Sequence, residues 1–88
     1  MIDEFIEWLK GQPTEGEIDQ GSWAKCAVGE FLQTKGCTLA QLNDFDSQEP
    51  GNEIYDIDQA GQDRGAPASF LGSITYGAML HDLTSHHR

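Results

Sequence analysis

Between Trp23 and Gly36, Ala24, Ala27, Val28, Phe31 and Leu32 fall at i, i+3, i+4, i+7 and i+8. Only an α-helix, with 3.6 residues per turn, gathers that spacing onto one face, and a stripe this wide needs a covering partner. Ser22 or Asp19 is placed to cap the helix and Gly36 to end it. The period recurs at Ile2, Phe5, Ile6 and Leu9, and again at Tyr76, Met79, Leu80 and Leu83. The first of these predicts a helix over 2–10, with acids early, Lys10 late, Gly11 as a left-handed cap and Pro13 as a stop. The last predicts a C-terminal helix capped by Thr75 and stapled by Ile74 on Met79, starting as early as Ala68. Thr38 and Gln41 form a capping-box pair, with Cys37 and Leu42 placed as a hydrophobic staple, which predicts a short helix over 39–45.

The segment from Asp46 to Ala66 breaks this pattern. Pro50, Gly51, Gly61 and Gly65 punctuate it, and Ile54, Tyr55 and Ile57 are its only large apolar anchors. The reading is a long acidic central loop pinned by a short strand or a single helical turn. No internal repeat is visible. The fold class expected is all-α or mostly α, a small bundle of three to four helices in a single domain over 1–88, with a β element at most short.

The chain has 88 residues, so its core is small and its stability margin thin. Fifteen acidic residues against five basic ones give a net charge of -10, and the surface potential is expected to be negative almost everywhere. Lys10, Lys25, Lys35, Arg64 and Arg88 are scattered and make no stripe that would release counterions from a phosphate backbone. Two helices joined across Gly36 have a helix-turn-helix outline without a basic recognition face, so direct nucleic-acid binding is not expected. No segment approaches the roughly 18 apolar residues of a membrane span, and no basic stretch with an apolar run opens the sequence. Two cysteines are too few for the disulfide lattice of a small secreted domain, so a cytoplasmic protein without membrane contact is expected.

Chemistry-bearing patterns are incomplete. Asp56, Asp58 and Gly61 imitate the start of a calcium loop, but position five is Ala60 and position twelve Pro67. Asp44 and Asp46 begin a second run that fails with Glu49 at the glycine site and Tyr55 at twelve. Cys26, Cys37, His81, His86 and His87 carry zinc-type donors without a CxxC or HxxxH pair. Nucleophile, histidine and acid are present as types, but no nucleophile elbow or phosphate loop orders them. No catalytic residue, metal or cofactor is assigned, and an enzyme is not expected. Trp8, beside the first apolar stripe, and Trp23, at the start of the second, are read either as lids on the core edge or as binding anchors.

Size, charge and the segments FIEWLKGQP and WAKCAVGEFLQTKG together resemble the small acidic proteins of bacteriophages, among them the anti-CRISPR proteins. That class shares no fold, so the resemblance carries no residue over. It implies a protein-binding inhibitor acting in the host bacterial cell, some members of the class being acidic occupants of a basic nucleic-acid groove. The expected partner is the basic surface of a larger protein or nucleoprotein complex. The residues expected to meet it are Asp44, Asp46, Glu49, Glu53, Asp56, Asp58 and Asp63, with Glu15, Glu17 and Asp19 as a second cluster. The alternative is a phage structural or assembly protein that associates through helix faces, a homodimer being one such assembly, its acids serving only solubility.

Overall fold

In the computed structural model, residues 1–18, 26–44 and 48–85 are described, those at 48–50 by backbone alone. Helix α1 (Ile2–Lys10) buries Phe5, Ile6 and Leu9, as its period requires. It ends without a left-handed residue. Gly11 keeps a right-handed φ of -85° and donates its amide to Trp8 O at 3.1 Å, while the Gln12 side chain takes the same carbonyl at 3.2 Å.

Helix α2 (Ala27–Thr34) is capped by Cys26, whose Sγ accepts from the Gly29 amide at 3.4 Å. The expected caps Ser22 and Asp19, with Ala24 and Trp23, lie outside the described residues. Ala27, Val28, Phe31 and Leu32 are buried. The helix closes at Gly36, φ +106°, where the Gly36 amide donates to Gln33 O and the Cys37 amide to Leu32 O. These paired bonds are a Schellman motif, and the left-handed residue they require is why glycine stands there.

Helix α3 (Leu39–Asn43) starts on the expected capping box, with Gln41 N to Thr38 Oγ1 at 3.1 Å and Thr38 N to Gln41 Oε1 at 2.8 Å. Leu42 is fully buried and Cys37 packs against the core, while Leu39 stays 55 % exposed. The helix ends two residues before the expected boundary.

The central loop is where the structure corrects the sequence reading. Gln48–Asp63 is the longest helix, α4, with Ile54, Ile57 and Gly61 lined along its buried side. Pro50 falls in the first turn, where no intrahelical amide bond is lost. Gly65, φ +101°, closes a second Schellman motif through its amide to Gln62 O and the Ala66 amide to Gly61 O. The glycines that read as loop punctuation therefore end a helix and let it be approached closely. No strand occurs among the described residues, the nearest thing being an isolated antiparallel bridge between Glu17 and Thr75.

A single 3₁₀ turn (Phe70–Gly72) inserts the fully buried Phe70 against α4, and helix α5 (Tyr76–Thr84) follows. Thr75 caps α5 by accepting from Ala78 N at 3.1 Å. Met79 and Leu83 are buried, but Ile74 is 68 % exposed, so the expected staple does not form. The backbone around Ile74 is engaged instead. Ile18 N donates to Ile74 O at 2.8 Å, Tyr76 N to Gly16 O at 3.1 Å and Gly77 N to Thr14 O at 2.9 Å, clasping the loop after α1 to the start of α5. Helix α1 packs against α2, α4 and α5, and α3 leans on α4, around one cluster of buried side chains.

Candidate protein-binding surface

At 100° per residue, Glu53, Asp56, Ala60 and Asp63 fall within about 80° of arc along one flank of α4, with Glu53 about 40° from the buried Ile57 and Asp63 turned farthest from the core side. Asp56 and Asp63 are exposed and Glu53 is half-buried. Asp63 Oδ1 accepts from Gln59 Nε2 at 3.2 Å. Asp58 belongs to the opposite flank of the helix, half-buried and held by Gln62 Nε2 at 3.1 Å. The structure thus brings three of the expected acids into one stripe and turns a fourth away.

The others are placed differently. Asp44 is exposed at the C-terminal cap of α3. Glu49 belongs to α4, with its side chain outside the described residues, as are Asp46 and Asp19 altogether. Glu15 and Glu17 are exposed on the loop clasped to α5, a different element from the stripe.

The described cations do not neutralise this surface, because each is paired with an acid of α1. Lys10 Nζ lies 3.1 Å from Glu7, Lys35 Nζ 2.7 Å from Glu4, and Arg64 Nη1 3.1 Å from Asp3. The Lys35 hydrogen bond, and then its charge, hold the Glu4 carboxyl below its ordinary pKa. Exposed pairs of this kind contribute little stability, and their consequence here is where charge is left over. Among the described residues, no cation lies within ion-pair distance of Glu53, Asp56 or Asp63. An open groove of about 490 Å³ runs beside the stripe, between the turn at Lys35, Gly36 and Cys37 and the α4 residues Asn52, Glu53 and Asp56.

Trp8 is a core-edge residue. Its ring lies 6.1 Å from Phe5, 6.0 Å from Phe31 and 5.9 Å from Tyr76, centroid to centroid. Tyr76 donates its hydroxyl to the Glu30 carboxylate, a contact between residues 46 apart that no local pattern announces. Burial, reinforced by Glu30, pushes the phenol up to about 12. Folding therefore favours the protonated phenol, so its contribution is fully present below the unfolded value near 10 and is lost as pH rises toward 12. In a Tyr55→Phe protein Tyr76 is the one remaining tyrosine, and its phenolate absorbance should appear near pH 12. A midpoint near 10 would mean that the contact is absent in solution.

Burial likewise raises the Cys26 thiol above its ordinary value, outweighing the Gly29 amide that the sulfur accepts as N-cap, and disfavours the thiolate a nucleophile needs. Asp56, Asp58 and Gly61, placed along a continuous helix, cannot wrap an ion as a calcium loop does. No helix among the described residues is long and apolar enough to cross a membrane. No family model matches the chain, and no curated protein or solved structure gives a significant match to it.

Proposed function

We propose that the protein is a non-catalytic inhibitor that lays the acidic flank of α4 on the basic, nucleic-acid-binding surface of a larger bacterial protein or nucleoprotein complex. The observation that carries this reading is the stripe of Glu53, Asp56 and Asp63 without a described counter-cation, set against three described cations that are all paired with α1. From Glu53 to Asp63 the helix rises about 15 Å, the axial length over which one strand of a duplex presents about four or five phosphates. The stripe is sparser than a strand but fixed on a helix, so its carboxylates meet lysines and arginines with side-chain ordering as a cost and no backbone ordering. Such a surface steers association and makes it salt-dependent. The resemblance in size and charge to small phage antagonists of the anti-CRISPR kind agrees with this role, exercised in the cytoplasm of an infected cell.

The test is affinity capture from bacterial lysate by the immobilised protein, with and without competing nucleic acid, beside a variant carrying Glu53→Lys, Asp56→Lys and Asp63→Lys. The expected result is retention of a basic protein or nucleoprotein that nucleic acid competes away, salt weakens and the triple reversal abolishes. Binding unchanged by the reversal sinks the electrostatic reading. A concentration-dependent, salt-insensitive dimer in sedimentation would place the protein instead among assembly proteins that associate through helix faces.

A further inference from the structure

We infer that the Tyr76–Glu30 hydrogen bond is the latch of a strap, the loop residues 14–18 clasped across the start of α5, so that bond and strap open and close together. The strap has little hold of its own. Of its side chains only Ile18 is buried, while Thr14, Glu15 and Glu17 are exposed, and three backbone bonds tie it to residues 74–77. A segment with so few buried apolar contacts opens well before the domain as a whole unfolds.

Tyr76 joins this strap to the rest of the fold. Its amide donates to Gly16 O at 3.1 Å, and its ring lies so close to Gly16 that a Cβ there would stand 3.1 Å from Cδ2. The same ring meets Trp8 of α1 edge-on, 5.9 Å between centroids, and its hydroxyl donates to the Glu30 carboxylate in the first turn of α2. The strap therefore covers one edge of the ring whose far end makes the bond. Closed, it keeps water from the ring and strengthens the bond, and the bond fixes the ring against which Gly16 rests. Lifting the strap wets the ring and weakens the bond. Coupling of this kind is reciprocal, so either partner can be perturbed and the other read. No residue of the α4 stripe takes part, and the device stands apart from the proposed function.

The experiment is amide hydrogen exchange of the ¹⁵N-labelled protein. In the wild type the clasp amides of Ile18 and Gly77 should be less protected than the α2 amides; equal protection would mean that no separate strap opens, and overturns the inference. Tyr76→Phe keeps the ring and removes the bond, and should speed exchange at Ile18 and Gly77 about tenfold, the effect of one hydrogen bond to a charged group. Unchanged clasp rates in that variant, whatever the α2 amides do, would show that the bond outlasts the opening of the strap and overturn the latch. The reciprocal arm reads the phenol. The titratable groups facing it are the Glu30 carboxylate and the Cys26 thiol, but burial is the largest cause of its rise to about 12. In a Tyr55→Phe background Gly77→Ala lifts the strap, and the phenolate absorbance should move down from about 12 toward the ordinary value of 10. A midpoint that stays near 12 once Ile18 has lost its protection overturns the coupling.

Discussion

Gly61→Ala should destabilise the domain by about 1–3 kcal/mol, although glycine to alanine inside a helix ordinarily stabilises by about 0.5–1 kcal/mol. The sign reverses because of what faces Gly61. A Cβ there would stand 2.6 Å from Cε1 and Cζ of Phe70 and 3.0 Å from Cδ2 of Leu83. Phe70 is fully buried and Leu83 nearly so, so neither has open space to retreat into. Urea unfolding of the single variant checks the loss. Gly61→Ala combined with Phe70→Leu should be less destabilised than the sum of the two single changes, because the smaller side chain relieves the contact that the methyl creates. A rise in the unfolding midpoint of Gly61→Ala would show that α4 and the 3₁₀ turn are not packed as described.

Gly77→Ala should have an effect of similar size, about 1–3 kcal/mol, through the clasp rather than the core. Its new Cβ would lie 2.5 Å from Thr14 Cγ2 and 2.7 Å from Thr14 O. The methyl could rotate away, but the carbonyl oxygen cannot, because it accepts the amide of Gly77 itself at 2.9 Å. Relief therefore requires the loop after α1 to lift from α5. Hydrogen exchange distinguishes this from a general loss of stability, since the amides of Ile18 and Tyr76, both bonded across the clasp, should exchange faster than the α2 amides. Uniform acceleration throughout the domain would mean that the clasp is not a separate opening unit.

The elements legible in the sequence are those whose signals are local. The stripes of α1 and α5 carry their period within nine residues each, and the capping box at Thr38 and Gln41 is a contact three residues long. Helix α4 has no such signal. Its inner face is two isoleucines and a glycine, because Phe70 arrives from elsewhere in the chain and needs a surface without a side chain. Gly61 therefore looks like a breaker only when Phe70 is ignored. The α4 acids are visible in the sequence as a list, but which of them share a flank of the helix is not. Reading 53, 56 and 63 as one face and 58 as the other requires knowing that the segment is helical. The Tyr76–Glu30 contact and the charge left on α4 after α1 takes the cations depend on pairings between distant residues, which composition alone does not encode. Ile74 fails as a staple for the same reason, its backbone being engaged by Ile18.

The position of α1 has a consequence for how the chain acquires its structure during synthesis. Helix α1 is made well before α5, yet it packs against it. A nine-residue helix is too short to persist alone in water, so the apolar face of α1 stays incompletely covered after α2 is made, until α4 and α5 follow. Folding then closes across the residues between α1 and α5, a non-local step that is slow relative to forming any single helix. The nascent chain is most exposed to proteases and to its own aggregation in that interval, because the apolar face of α1 is completed only when α5 docks.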